Sequence, residues 1–208
     1  MIYPIRLYGD PVLRQKARAV TDFTQTVQVP GFEPVSLIQL AENMLDTMYN
    51  AHGVGIAAPQ IGLGLRMFVM AEYADDEEEG EAAEDSDPRA RSRVLRELVV
   101  INPVLEPLNK KKNKNSQEGC LSVPGIYEEG IARFSEMRLT YQDAEGNTHT
   151  EENEDFIARV WQHENDHLNG KFFLDHLPKH ITDEHRTELA IMQRKAKAFL
   201  KELKEKGW

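Results

Sequence analysis

Two histidines stand four positions apart in the stretch VWQHENDHLNG, residues 160–170, and a glutamate directly follows the first of them. Four residues make about one turn of an α-helix, so the side chains of His163 and His167 would project from the same helical face. Two imidazoles placed in this way can bind one metal ion, and a metal that does chemistry also needs a third ligand and an open position. Two surface histidines would give the same pattern, so the third ligand decides what it means.

The chain offers a third ligand in two places. A zinc peptidase of the usual kind takes a glutamate or histidine from a segment further downstream. The polar segment after the motif contains Asp175, His176, His180, Asp183 and His185. Upstream stands Cys120, whose thiolate would be the strongest anionic ligand in the chain. Because Cys120 is the only cysteine, an intrachain disulfide is excluded and a reducing compartment is favoured, while an inert core thiol remains an alternative.

Helical periodicity predicts three helices, one of which carries the histidine pair. Residues 156–170 change to helical spacing after a strand-like segment. Residues 36–50 place apolar side chains at the same spacing, and a capping box begins at Ser36. Residues 182–208 are amphipathic, with Thr182 as the predicted N-cap. The apolar stripe of this last helix consists of Leu189, Met192, Ala196, Phe199 and Leu203.

Short apolar runs between the helices predict β-strands. Residues 65–70 and 97–107 are of this type, and we expect prolines to end the second run. Residues 137–153 predict two strands joined by a turn near residues 145–147. Strands interleaved with helices, without βαβ regularity, indicate an α+β fold, and a length of 208 residues suits one domain over residues 1–208.

The formal net charge of −10 comes from one acidic segment. Residues 72–87 contain ten acidic residues and no basic one, and the rest of the chain has 25 of each. Such a segment buries too little apolar surface to order itself, so we predict a solvated insertion at about residues 72–96. The sequence has no apolar run of about 18 residues and no secretory signal pattern, so we expect no membrane span and a cytoplasmic location.

Three stretches together resemble the motifs of the peptide deformylases. They are GVGIAAPQ (residues 53–60), EGCLS (residues 118–122) and QHENDHLNG (residues 162–170), in the order in which that family has them. YGDPVLR, residues 8–14, is similar to the family's opening segment. The resemblance covers the chain apart from residues 72–96, an insertion longer than most members have.

The resemblance implies both a fold and an activity. The fold would be α+β, with antiparallel sheets packed around a central helix that carries the metal-binding HExxH motif. A long C-terminal helix at about residues 182–206 would follow, as in the first bacterial subclass. The activity would be hydrolysis of the formyl amide at the N-terminal formyl-methionine of newly synthesised polypeptides, with release of formate. One divalent metal would be held by Cys120, His163 and His167: Fe²⁺ in the cell, or Zn²⁺ or Ni²⁺ in purified protein.

The resemblance also implies roles for residues around the metal. Glu164 would act as the general base. The side-chain amide of Gln60 and the backbone N–H of Leu121 would stabilise the oxyanion. Gly53 and Gly55 would let the peptide substrate approach the backbone closely. The candidates for the pocket that accepts the methionine side chain are Ile56, Phe156 and Val160.

Several polar residues are expected to support the site. Arg133 matches the arginine that pairs with the motif glutamate, Glu118, although the acidic residues 128–129 leave the local charge open. Asp166 and Gln162 are expected to be structural or to support the ligands, and Asp166 could orient a ligand histidine.

The C-terminal helix suggests a partner. From Leu189 to Trp208 it has six basic and two acidic residues on an otherwise acidic chain. A basic helix attracts polyanions, and some members of the resembled family dock such a helix near the ribosomal exit tunnel, so we expect ribosome binding but neither DNA nor a membrane as a partner.

Three other functions stay open on the residues alone. A zinc endopeptidase would need a downstream ligand and would tolerate loss of Cys120. An interaction protein with a structural metal would have no use for Glu164 or Gln60. A hydrolase with a Cys–His nucleophile would be blocked by alkylation of Cys120 but not by chelators.

Overall fold

The computed structural model describes residues 1–74 and 93–208. Within these residues the strands are β1 (Thr26–Val27), β2 (Val35–Ser36), β3 (Gly55–Ala57), β4 (Met67–Tyr73), β5 (Val94–Pro107), β6 (Lys112–Asn113), β7 (Glu118–Cys120), β8 (Val123–Glu128), β9 (Arg133–Phe134), β10 (Glu136–Gln142) and β11 (Thr148–Glu154). The α-helices there are α1 (Leu37–Asn50), α2 (Asp155–Leu168), α3 (Lys179–Glu184) and α4 (Arg186–Glu205). The largest sheet has five antiparallel strands in the order β11-β10-β5-β4-β3, and the other sheets are strand pairs.

Strand β4 is buried on both faces, which explains why its sequence is a continuous apolar run. Successive residues of a strand point to opposite faces, so Met67 and Val69 pack with α1 whereas Phe68 and Met70 pack with α2. The sheet therefore lies between two helices. The strand predicted over residues 65–70 is confirmed and continues to Tyr73.

Helix α1 forms where its periodicity predicts it. Leu40, Met44 and Met48 lie on one face and are fully buried in the core. The Ser36 side chain accepts a hydrogen bond from the backbone N–H of Gln39 at 3.2 Å, so it caps one of the helix's unpaired N–H groups as expected.

Helix α2 covers the other face of the sheet with Ala158, Trp161 and Leu168, all fully buried. Directly before it, β10 and β11 form the hairpin predicted over residues 137–153. Antiparallel sheets with helices, ending in a long helix, confirm the α+β expectation.

The C-terminal helix is shorter at its start than expected. Helix α4 begins at Arg186, and the predicted N-cap, Thr182, lies inside the separate short helix α3. The reason is local: α3 already starts after Pro178, and the Thr182 hydroxyl donates to the carbonyl of Lys179 within it. The apolar stripe of α4 is confirmed, since Met192 and Ala196 are buried.

Strand β5 ends at Pro107, as predicted, and begins at Val94, three residues earlier than expected. It runs through Pro103 because the irregularity in its pairing with β10 at Asn102–Pro103 removes the need for a ladder N–H there. Residues 72–73 and 94–96, predicted as ends of the insertion, belong to strands β4 and β5. Residues 75–92 of the predicted insertion lie outside the described residues.

None of the helices formed by residues 1–74 and 93–208 is long and apolar enough to cross a membrane.

Candidate metal centre

Cys120, His163 and His167 come together in the structure. Their ligand atoms all lie within 4.8 Å of one another, and the Cys120 Sγ is 3.2 Å from the His167 Nε2. Helix α2 supplies both histidines one turn apart, and strand β7 ends at the cysteine. Ligand bonds of about 2.0–2.3 Å to one ion need only a small inward adjustment of these atoms. The donor set, two imidazoles and one thiolate, fits a divalent transition metal.

Four of the five downstream candidates for a third ligand are engaged elsewhere. Asp175 forms an ion pair with Arg14 at 2.5 Å, His176 lies 2.7 Å from Asp166, and Asp183 pairs with Lys179. His185 lies 2.5 Å from the carboxylate of Glu128, one of the two acidic residues before Arg133. Among the described residues the one group that could hold a metal is that of Cys120, His163 and His167. The upstream cysteine is therefore the third ligand that the geometry offers.

Glu118 fixes the orientation of one ligand histidine. Its Oε2 lies 3.0 Å from the His163 Nδ1, so the opposite ring nitrogen, Nε2, is left for a metal. Burial lowers the pKa of His167 well below its ordinary value, which keeps that imidazole neutral. Although burial alone would lower it, hydrogen bonds with Cys120 and Glu118 raise the pKa of His163 to about 10 in the metal-free protein. His167 can therefore bind a metal as it stands, whereas a metal at the His163 Nε2 would displace a proton.

Two arginines surround the Glu118 carboxylate. Arg133 donates to it through Nε and Nη2, each at 3.0 Å, and Arg159 donates through Nη1 at 2.6 Å. Burial alone would raise the pKa of Glu118, but the hydrogen bonds from His163 and Arg133 outweigh it and hold the pKa far below its usual range. Glu118 is therefore a buried, fully ionised group whose lone pairs are all occupied.

Asp166 does not contact a ligand histidine, so the expectation that it orients one is wrong. Its Oδ2 accepts from Arg133 Nη1 at 2.6 Å and lies 2.7 Å from the His176 Nε2. It precedes His167 by one residue, which on a helix points it about 100° away from that ligand. Asp166 supports Arg133 instead, and through Arg133 it supports Glu118.

Gln162 is structural, one of the two roles expected for it. Its side chain accepts from the backbone N–H of Phe134 and donates to the carbonyls of Phe134 and Ala158, all at 2.9 Å. These bonds fasten helix α2 to strand β9.

Glu164 is buried beside the metal ligands with an unused oxygen. Its side chain is only 3% exposed, and its Oε2 has no hydrogen-bond partner in the described part of the chain. Burial raises the pKa of Glu164 to about 7. A Cβ at Gly55 would lie 2.6 Å from the Glu164 Oε1, so a glycine is required there for the carboxylate to fit. A buried carboxyl group of this kind is suited to take up and return a proton.

Gln60 lies beside the same centre. It belongs to a short 3-10 helix, Ala58–Ile61, that follows strand β3. Its Nε2 is 3.6 Å from the Cys120 Sγ and 3.1 Å from the Ser122 Oγ. Leu121 occupies the turn between β7 and β8, next to these groups. Both residues predicted to bind the oxyanion are thus close to the cluster.

A cavity of about 350 Å³ opens onto these groups. Gly53, Gly55, Gln60, Leu121, Phe156, Val160 and Glu164 all line it, together with the three-residue cluster's Cys120 and His163. Phe156 is 57% exposed, so it lies at the rim. The volume is in the range of small-molecule binding sites.

Ile56 does not line this cavity, contrary to expectation. It is fully buried and packs in the core with helix α1. Gly55 faces Glu164. Because successive residues of a strand point to opposite faces, Ile56 must face the other side of the sheet.

Sequence reasoning missed three residues of the site. Arg159 and Tyr127 line the cavity, and Ser122 contacts Gln60. Arg159 had a usable signal, since it stands four residues before His163 and therefore on the same helical face. Tyr127 is brought in by pairing of β8 with β7, a contact that no local pattern encodes.

Comparison with known protein sequences gives a consistent result. The family model for polypeptide deformylase matches residues 2–182. A peptide deformylase of Thermus thermophilus is 46% identical over 209 residues, which cover 99% of this chain and 100% of that protein. A peptide deformylase of Endomicrobium trichonymphae is 37% identical over 174 residues, covering 84% of this chain and 85% of that one.

The fold matches solved structures of the same kind. The crystal structure of a peptide deformylase from Thermus thermophilus aligns with a TM-score of 0.76 and 43% identity, over 94% of this chain and 100% of that chain. The crystal structure of a peptide deformylase from Thermotoga maritima aligns with a TM-score of 0.66 and 36% identity, over 86% of this chain and 99% of that chain. Because sequence and fold both match along most of the chain, the protein belongs to the peptide deformylase family and is a hydrolase that removes N-formyl groups from nascent peptides.

Proposed function

We propose that Cys120, His163 and His167 hold one divalent metal at which the formyl amide is hydrolysed. The observation that carries this proposal is the convergence of the three ligand atoms within 4.8 Å beside the buried carboxylate of Glu164. The ligand set suits several first-row metals, and affinity alone favours those beyond iron. We propose Fe²⁺ in the cell, with Zn²⁺ or Ni²⁺ taking its place in purified protein.

Bound there, a divalent metal would supply Lewis-acid chemistry, lowering the pKa of water towards neutrality and polarising a carbonyl oxygen. Glu164 accepts the proton of the attacking water through its free Oε2 and then delivers it to the leaving amine. Water adds to the formyl carbon, the C–N bond breaks, and the products are formate and a free amino terminus. Glu164 can serve both steps because it lies next to the ligands, inside the cavity.

Gln60 and Leu121 are proposed to stabilise the oxyanion of the tetrahedral intermediate. The Gln60 Nε2 donates one hydrogen to Ser122 and directs the other at the Cys120 Sγ, 3.6 Å away, which places this second hydrogen at the proposed metal centre. The backbone N–H of Leu121 would be the second donor.

The cavity is proposed to accept the methionine side chain of the substrate. Phe156, Val160 and Tyr127 give it apolar walls, while Glu118 and Arg159 contribute charged groups. Gly53 keeps its entrance open, because a Cβ there would lie 2.8 Å from the Leu121 Cδ1. A peptide backbone can therefore pass close to residues 53–55.

Formate release from a formyl-methionyl peptide, measured on protein of known metal content, tests this function. We expect a chelator to abolish release and stoichiometric Fe²⁺ to restore it, with Cys120→Ala inactive in the presence of metal. Full activity after complete metal removal would refute the metal mechanism and favour a cysteine nucleophile. Retained activity in Cys120→Ala would point to a downstream ligand, as in an endopeptidase.

We also propose that helix α4 attaches the enzyme to the ribosome in the cytoplasm, where formylated chains are made. Its apolar stripe packs on the domain, and Phe199 stacks with Arg6 at 4.8 Å. The six basic residues of the helix end are all exposed: Arg194, Lys195, Lys197, Lys201, Lys204 and Lys206. Lys201 and Lys206 pair with acidic neighbours of the helix. The other four carry charge that ribosomal RNA could neutralise.

Changing Arg194, Lys195, Lys197 and Lys204 to glutamine tests this attachment without disturbing the packed stripe. We expect co-sedimentation with ribosomes to weaken by about tenfold or more at moderate salt, with unchanged activity on free peptides. A matched control replaces four exposed lysines elsewhere: Lys16, Lys110, Lys111 and Lys171. Equal binding by the two variants would refute a specific role of α4.

A further inference from the structure

The side-chain amide of Gln60 has a defined orientation. Its Oε1 accepts a hydrogen bond from the backbone N–H of Ala57 at 2.8 Å. A backbone N–H can only donate, so this contact identifies which end of the amide is oxygen. The NH₂ end must therefore point the other way, towards Cys120 and Ser122.

Ser122 occupies one of the two hydrogens of that NH₂ group. Its Oγ accepts from the Gln60 Nε2 at 3.1 Å, and both side chains are buried, with exposures of 0% and 1%. The two N–H bonds of an amide diverge by about 120°, so when one points at Ser122 the other is directed elsewhere. The Cys120 Sγ, 3.6 Å from the same nitrogen, marks that second direction as the metal centre.

The amino-terminal segment holds both partners at this separation. The backbone N–H of Arg6 donates to the carbonyl of Gln60 at 2.7 Å, and that of Tyr8 donates to the carbonyl of Ser122 at 2.8 Å. One extended piece of chain thus joins the 3-10 helix of Gln60 to the turn of Ser122. The backbones of the two residues that make the hydroxyl–amide contact are therefore held at a fixed separation.

We propose that Ser122 is a positioning residue for deformylation, which keeps one N–H of Gln60 directed at the reacting carbonyl oxygen. Without the Ser122 hydroxyl, the NH₂ end of the amide loses its oxygen acceptor and keeps only the long contact with the Cys120 Sγ, so the amide can rotate about its terminal torsion more freely. A donor that is misplaced by a fraction of an ångström loses much of its effect on the transition state but little of its effect on substrate binding. The inference rests on the proposed oxyanion role of Gln60.

A double-mutant cycle with Gln60→Leu tests the proposal in the metal-loaded enzyme. We expect Ser122→Ala to lower kcat by about tenfold with little change in KM, and Gln60→Leu to lower it by about 10²–10³-fold. In the Gln60→Leu background, Ser122→Ala should have less than about a twofold effect, because it acts only through the amide. An equal loss from Ser122→Ala with and without Gln60 would overturn the proposal.

Ser135→Ala is the matched control for removing a buried hydroxyl. Ser135 is 3% exposed, and its Oγ has no hydrogen-bond partner among the described residues. We expect this variant to keep wild-type kcat and a wild-type thermal midpoint. If Ser135→Ala lowers kcat as much as Ser122→Ala does, the Ser122 effect is general to the fold and the proposal is wrong.

Nuclear magnetic resonance of the metal-free protein gives a readout that is independent of turnover. The two Nε2 hydrogens of Gln60 should exchange slowly and have well-separated shifts in the wild type, and Ser122→Ala should speed their exchange and bring the shifts together. Unchanged amide signals in Ser122→Ala would overturn the proposal. If Gln60→Leu retains full turnover, the oxyanion role of Gln60 fails, and these signals alone decide whether Ser122 positions the amide.

Discussion

Glu164→Gln is expected to lower kcat for a formyl-methionyl peptide by about 10²–10⁴-fold, the range for loss of a general acid–base group. Glutamine has the same shape and fits beside Gly55, so the cavity is preserved. It cannot accept and return a proton at neutral pH. Metal content should stay at one equivalent, because Cys120, His163 and His167 are untouched.

The same substitution should not destabilise the protein. The Glu164 carboxylate is buried with an unpartnered Oε2, and burying an unpaired charge costs free energy. We therefore expect the free energy of unfolding of Glu164→Gln to equal or exceed that of wild type. Asp155→Asn, an exposed carboxylate-to-amide change on the same helix, is the control and should keep full activity. Near-normal turnover in Glu164→Gln would assign the base elsewhere.

Glu118→Ala is expected to cost about 3–5 kcal/mol of unfolding free energy, as for one partner removed from a buried ion pair. Arg133 and Arg159 would stay buried without their shared carboxylate, and both are at most 5% exposed. His163 would lose the acceptor for its Nδ1, so metal affinity should fall by about 10–100-fold. Denaturant unfolding and metal titration measure the two effects separately.

The matched control for this prediction is the exposed pair formed by Glu152 and Arg138 at 2.6 Å. Glu152→Ala should cost less than about 1 kcal/mol and leave metal affinity unchanged, since solvent screens that pair. If the two variants lose equal unfolding free energy, the buried network around Glu118 stabilises the fold no more than an exposed ion pair does. Should Glu118→Ala fail to fold, Glu118→Gln keeps the shape and permits the metal titration.

Local sequence signals predicted the histidine pair, and the resemblance to the family supplied most of the other site residues. The spacing of His163 and His167 predicts a shared helical face, and the structure places both on α2 next to Cys120. Helix α1 and strand β4 were also predicted from the sequence, because a helix cap and an apolar pattern each involve only residues that are close in the chain. The pairing of Arg133 with Glu118 was expected from the resemblance to the family and is observed.

The structural features that the sequence did not predict depend on contacts between different segments of the chain. Which face Ile56 takes is set by where Gly55 meets Glu164, and β3 is too short to reveal its own alternation. Asp166 contacts Arg133 and His176, which come from segments before and after helix α2, so the helix sequence alone does not predict these partners. Residues 72–73 and 94–96 join β4 and β5 because those two strands pair with each other, which the sequence of either segment alone does not show.

The network around Glu118 has a consequence for how the enzyme acquires its metal. The His163 ring is held at its Nδ1 by Glu118, and Arg133 and Arg159 hold Glu118 in turn. The conformational entropy of ordering this ligand is therefore lost when the chain folds and not when the ion binds. We therefore expect a folded molecule to exchange one divalent ion for another without unfolding, so that the metal bound depends on the supply in its surroundings as well as on the ligands.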